Sequence, residues 1–374
     1  MSVQPGSVLT LKGDAYSRGV SYGAQARGLI SKGIKHYVEI WEKTGKTRAE
    51  LLDVIRGFSP LIEDYDGEIL REMEGIASGA RLPLEEVLLL NARYELMSVA
   101  FFAADGDSAM GRAECTSLAA TRGATTDDHT YVAQNWDLTV EARQRCVLLE
   151  VVQDDRPNIV AHVEAGLVAH KGMNSAGLGI AINSLGSQLD DFAPCVPVFV
   201  LARAVLESGT LDEAIQAIDR ARRSASVNFT VGSDAGEVAS LEITPVDVSR
   251  LDGTNDRTAH ANVFRDLREG RGIKDELARR YPVFSERSVR AQELIARSDV
   301  SFDSLISIFK DRANKPESIC RHVDDQPPEA AEALRLETVV SMVMDLTERS
   351  IFLADGPPDR YEYKRHIFPS LARR

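Results

Sequence analysis

The hydrophobic period of this chain changes near residue 113, and that change limits what it can fold into. Before it the spacing is helical. Ile30, Ile34, Tyr37, Val38 and Trp41 recur at i, i+3 and i+4 behind Asp14, a residue type suited to cap a helix N-terminus. That pattern predicts a helix from Asp14 to about Lys43. Further helices are predicted over Arg48–Arg56, over Tyr65–Ala77 with Ser78-Gly79 as its stop, and over Leu84–Val99 behind Pro83. Residues 103–112 are small, polar and Gly-containing, and read as an exposed loop.

Beyond it the period becomes that of strands. Thr116–Thr121, Thr130–Trp136, Arg145–Val152, Asn158–Glu164 and Gly177–Asn183 are separated by turn residues. Two helices, Val198–Glu207 and Leu211–Ala221, precede a hairpin of Ser226–Gly232 and Glu237–Ile243. Arg257–Ala261 reads as a strand, Ser285–Arg297 and Phe302–Phe309 as helices, and Thr338–Leu346 with Arg349–Ala354 as a closing hairpin. Pro327 to Ala331 reads as a mobile loop. Periodicity gives an α+β class, with sheets stacked and helices outside.

Composition excludes several partners. A net charge of −13 leaves no basic excess to hold nucleic acid or an anionic bilayer. The most apolar run, Val196 to Leu206, is short and carries Arg203, so no membrane span is expected. The N-terminus lacks a basic segment followed by an apolar one, so no signal peptide is expected. Cys115, Cys146, Cys195 and Cys320 form no C-x-x-C pair, which fits a reduced, cytoplasmic protein and gives no zinc spacing. His162, Glu164 and His170 likewise lack the H-E-x-x-H spacing, and no metal is expected. Gly19-Val20-Ser21-Tyr22-Gly23 matches the G-x-S-x-G nucleophile elbow, but it lies within the first predicted helix rather than at a strand-to-helix turn. Its glycines fit close helix packing better.

Four short segments stand at the edges of predicted strands or turns: Glu114-Cys115-Thr116-Ser117, Gln134-Asn135-Trp136-Asp137, His260-Ala261-Asn262 and Ser318-Ile319-Cys320-Arg321. Together with Arg18-Gly19…Gly23, Gly75 to Gly79 and Leu90 to Glu95, they resemble the acyl-coenzyme A:6-aminopenicillanic acid acyltransferase family. These are self-processing enzymes of the N-terminal-nucleophile class. The resemblance weakens after Glu337. It implies a four-layer αββα sandwich, cleavage between Glu114 and Cys115, and two pieces, 1–114 and 115–374, that stay together as one structural domain. It also implies a cysteine amidohydrolase or N-acyltransferase acting on a small N-acyl amide. No cofactor is expected, and acyl-coenzyme A enters only as an acyl donor.

A free thiol has a pKa near 8.5, so Cys115 needs a base. A freed α-amine, with a pKa of roughly 7.7–8.0, would provide one on the same residue. Ser117 lies two residues on, shares the strand face, and would bond the nucleophile or help the self-cleavage. Asp137 would hold the new ammonium, and the amide N–H groups of Asn262 suit an oxyanion. Arg321 would anchor Asp137, the amine or a substrate carboxylate. The family has Gly where this chain has Glu114, and Glu is the harder residue to strain at a scissile bond. Two alternatives therefore stand beside the first reading. One is a papain-like pairing of Cys115 with His260 and no self-cleavage. The other is an unprocessed, non-catalytic binding protein of the same fold.

Overall fold

The computed structural model describes residues 3–103, 114–297, 299–326 and 335–372. Of the loop expected at 103–112, Ala103 ends a helix and residues 104–112 lie outside the described residues, as does the loop expected at 327–331. Strand β1 (Val8–Leu11) leads into α1 (Ala15–Glu42), whose first turn is closed by the Asp14 carboxylate accepting from the Ser17 N–H. Next come α2 (Arg48–Arg56), behind a capping box of Thr47 and Glu50, and α3 (Ser59–Ala80). Helices α4 (Leu84–Asn91) and α5 (Arg93–Ala103) complete the first part.

Strands β2 (Glu114–Ala120), β3 (Tyr131–Thr139), β4 (Cys146–Val151), β5 (Ile159–Glu164), β6 (Lys171–Asn174) and β7 (Leu178–Ser184) follow. After α6 (Val198–Leu206) and α7 (Leu211–Asp219) come β8 (Val227–Ser233), β9 (Glu237–Ile243), β10 (Val248–Asp252) and β11 (Arg257–His260). Helices α8 (Glu276–Arg280), α9 (Val283–Arg297) and α10 (Phe302–Phe309) precede β12 (Leu336–Asp345), β13 (Ser350–Ala354) and β14 (Lys364–Ile367).

The strands form two sheets. One has eight strands in the order β1-β4-β5-β6-β7-β8-β9-β10, with β1 parallel to β4 and the other pairs antiparallel. The other has six, β11-β2-β3-β12-β13-β14, all antiparallel. Alternation along each strand then produces three apolar layers. Val147, Leu149, Ile180 and Phe229 face helices α1 to α7. Cys115, Ala119, Val132, Trp136, Leu148 and Met173 meet between the sheets. Leu118, Ala120, Ala133 and Val343 face α9 and α10. The chain is therefore the four-layer αββα sandwich expected. The part before residue 114 contributes both an edge strand and an outer helical layer to it.

Several elements depart from the expectation for identifiable reasons. Helix α3 starts at Ser59, with Pro60 in its first turn, and kinks at Asp66, so the stretch expected from Tyr65 is its second half. Gly79 lies inside it, and the left-handed Arg81 ends it. The helix expected over Leu84–Val99 is broken at Ala92 into two. Strand β3 continues past Asp137 to Thr139. Strand β6 uses residues that resemble a turn, and β10 and β14 are too short to carry a period. Among the described residues no helix is long and apolar enough to cross a membrane.

The G-x-S-x-G glycines lie in the α1–α3 contact. A Cβ on Gly19 would stand 2.1 Å from the Glu72 carbonyl oxygen, and one on Gly75 2.2 Å from that of Tyr16. Gly28, also in α1, is exposed with open space beside it. Gly19→Ala is expected to destabilise by about 1–3 kcal/mol, the range for overpacking. Gly28→Ala should be stabilising by up to about 1 kcal/mol. Denaturant melts of the two variants read this contrast, and equal effects would contradict the packing.

Candidate active site

Cys115 is the second residue of β2, and its side chain faces the layer between the sheets. The neighbouring strand β11 ends at His260, paired with Ser117. Beyond that end, side chains take over the bonds a strand would make to Cys115. Its N–H donates to Asn262 Oδ1 at 2.9 Å, and its carbonyl accepts from Arg287 at 3.4 Å. The Asn262 oxygen also accepts from Arg287 Nη2 at 2.9 Å, and its amide nitrogen donates to the Ser184 carbonyl at 2.9 Å. The main-chain nitrogen of Cys115 is thus held by a side chain.

Strand alternation puts Glu114 and Asp137 on the opposite face from the thiol. They are cross-strand partners in β2 and β3, both fully buried, and they face α9. Two carboxylates removed from water need counter-charge. Arg287, on the buried stripe of α9, lies 3.2 Å from Glu114 and 3.4 Å from Asp137. Arg321 pairs with Glu114 and with Glu317. The Asp137 carboxylate also accepts from the Thr338 hydroxyl at 2.6 Å. Burial pushes the Asp137 carboxyl up to about 7, with Arg287 acting against the shift and Glu114 adding to it.

On the thiol side the surroundings are apolar and aromatic. Trp136 is the cross-strand partner of Cys115. Lys171 Nζ sits 3.9 Å from the Trp136 ring centroid and 3.2 Å from His170 Nδ1, with no exposure to solvent. Burial lowers its ammonium to about 7, so an amine able to be neutral stands in the same layer as the thiol. Burial, with Asp137 adding, pushes the Cys115 thiol up to about 12. In the continuous chain, then, this sulfur needs a base to react.

The structure brings Glu114, Cys115, Asp137, Asn262 and Arg321 together. It places Ser117 one strand repeat away, its hydroxyl 2.6 Å from Asn183 Oδ1 and 2.7 Å from Thr230 Oγ1 on the facing sheet. The arginine on Asp137 is Arg287, while Arg321 reaches Glu114, which lies opposite Asp137 in the ladder. Both ring nitrogens of His260 are engaged elsewhere: Nε2 lies 3.0 Å from Glu242 Oε1, and Nδ1 2.5 Å from the Ala261 carbonyl. That geometry does not pair His260 with the thiol. Ser21 is in mid-helix α1, and Glu164 is occupied by Arg93 and Arg145. Sequence reasoning missed Arg287 and Lys171. A charged residue on an otherwise apolar helical stripe was the available signal for Arg287. Lys171 carried none.

Residues 124–349 match the family model described as acyl-coenzyme A:6-aminopenicillanic acid acyl-transferase. Over 354 residues the chain is 28% identical to the acyl-coenzyme A:6-aminopenicillanic-acid-acyltransferase 40 kDa form of Emericella nidulans, covering 94% of this chain and 93% of that protein. Similar solved structures include penicillin V acylase from Agrobacterium tumefaciens (14% identity, TM-score 0.42, 64% of this chain and 83% of that one). Another is the R18L variant of conjugated bile acid hydrolase from Clostridium perfringens (12% identity, TM-score 0.44, 69% and 98%).

Removing the shared carboxylate should be costly, because two guanidiniums would stay buried with less counter-charge. Glu114→Gln is expected to lose on the order of 3 kcal/mol of stability. A denaturant midpoint equal to that of the parent would contradict the pairing of Glu114 with both arginines.

Proposed function

The chain belongs to the acyl-coenzyme A:6-aminopenicillanic acid acyltransferase family, enzymes of amide hydrolysis and acyl transfer, and from that premise we propose that Cys115 becomes an N-terminal nucleophile by self-cleavage. The observation that carries this reading is the pairing of the Cys115 N–H with the Asn262 side chain, where the neighbouring strand has ended. A nitrogen in that position can become an amine without the sheet losing a ladder bond.

In the cut, the Cys115 thiol adds to the Glu114 carbonyl carbon, the C–N bond breaks, and the nitrogen takes up a proton. Water then hydrolyses the thioester, returning the thiol and leaving a carboxylate on Glu114. Arg287 and Arg321 neutralise the Glu114 side chain, which removes much of the repulsion it would exert on an oxyanion growing at its own carbonyl. Asp137, across the ladder, would stabilise the new ammonium. Self-cleavage leaves a heterodimer of the chain's own two pieces.

In turnover the thiol attacks the carbonyl of a small N-acyl amide, and the α-amine takes the thiol proton and gives it to the leaving amine. Asn262 turns one N–H to Ser184 and keeps the second for the oxyanion. Water or an acceptor amine then resolves the thioester on Cys115. An acyl-coenzyme A donor would load the same sulfur. No cofactor takes part.

A second reading has its own observation. Lys171, buried over Trp136, could take the thiol proton in an uncut chain. The two readings separate by experiment. With a series of small N-acyl amides, rapid quench and intact mass should find the acyl group on the piece that begins at Cys115. Cys115→Ala should abolish turnover, Cys146→Ala should leave it nearly intact, and Asn262→Ala should lower kcat by roughly 10²–10³. Turnover by Cys115→Ala would overturn the assignment. Turnover by an uncut chain that is lost in Lys171→Met would move the base to Lys171.

A further inference from the structure

Cys320, His322 and Asp359 lie apart from the nucleophile and take no part in the chemistry above, yet their ligand atoms converge. Cys320 Sγ is 3.6 Å from His322 Nε2 and 3.3 Å from Asp359 Oδ1, and His322 Nε2 is 2.8 Å from that same oxygen. Among the described residues these three are the group of Cys, His and carboxylate side chains placed to hold one metal ion. We propose that they form a tetrahedral site for a zinc-like divalent cation, with solvent as the fourth ligand.

The distances carry the assignment. Metal–sulfur bonds of about 2.3 Å and metal–nitrogen or metal–oxygen bonds of about 2.0–2.1 Å give tetrahedral edges of about 3.5 Å from sulfur and about 3.3 Å between nitrogen and oxygen. The two sulfur edges already lie within a few tenths of an ångström of that. The third is a hydrogen bond and must open by about half an ångström. Asp359 can supply the movement. It sits in the turn between β13 and β14, and its side chain is 23% exposed, whereas the cysteine and the imidazole are fully buried. Its other carboxylate oxygen is turned to Arg312 Nη1 at 3.7 Å, which leaves Oδ1 to the site.

The donor set selects the ion. A thiolate and an imidazole with one carboxylate suit zinc or cobalt, not magnesium or calcium, which take oxygen ligands. Binding releases the thiol proton to solvent, and the thiolate and carboxylate then neutralise the ion. Its consequence is positional. Arg321 lies between the two buried ligands and reaches Glu114, so an ion at this site would hold that segment to the β13–β14 turn. The site rests on these three side chains and is independent of how Cys115 reacts.

Cobalt titration of metal-free, full-chain Cys115→Ala protein tests the site without the nucleophile as a competing thiol. One equivalent should give the ligand-field bands of tetrahedral cobalt and a thiolate-to-cobalt charge-transfer band. Zinc should displace it and excess magnesium should not. Cys320→Ser should abolish the charge-transfer band, and Asp359→Asn, at an exposed turn, should weaken binding by at least about tenfold. Absence of the charge-transfer band, its persistence in Cys320→Ser, or unchanged affinity in Asp359→Asn would overturn the assignment.

Discussion

The structure depends on how four buried charges settle behind Cys115. Glu114 and Asp137 face each other across β2 and β3 with no solvent to hydrate them. An isolated ion there would cost several kcal/mol. Arg287 touches both carboxylates, and Arg321 closes the group from the other side. Through the same guanidinium, Arg287 also holds the Cys115 carbonyl and the Asn262 side chain. One arginine on α9 therefore ties the outer helical layer to the main chain at the proposed scissile bond.

Cys115 sits where a sheet separates two environments. Its thiol faces Trp136 and Lys171 between the sheets, and the carboxylates stand behind it toward α9. The nitrogen and carbonyl of Cys115 lie in the sheet plane, between the two. This division keeps the thiol in a dry layer, where its proton is held firmly, while its own nitrogen lies at the end of a ladder within reach of polar side chains. Glu114, the departure from the family's glycine, fits the same logic. Its charge is absorbed by two arginines, so the residue that argued for a non-catalytic protein is a member of the polar group behind Cys115.

Much of the architecture was legible in the sequence because caps and periods are local. Asp14 and Thr47 mark helix starts through hydrogen bonds made within three residues, and the strands of the central run are bounded by local turn residues. What period could not report was partnership. Arg287 reads as one charge on an apolar stripe, and its carboxylate partners, Asp137 and Glu114, lie 150 and 173 positions earlier in the chain. Cys320 and His322 are two apart, but the third member of their group comes from a turn far along the chain. Strand β6 was lost because Gly172 and Asn174 resemble a turn, although Gly172 is there to admit the Val160 carbonyl, 2.3 Å from where its Cβ would be. The motifs singled out Cys115, Asp137, Asn262 and Arg321, which the fold brings close together. Which arginine serves which carboxylate needed three dimensions.

The central claim is that the main-chain nitrogen of Cys115 is released to serve as the base. Intact mass of freshly purified wild-type protein, with N-terminal sequencing of the larger species, tests it most directly. The account predicts two pieces, 1–114 and 115–374, the larger beginning Cys-Thr-Ser-Leu. A single uncut chain of 374 residues that still turns over amides would contradict it.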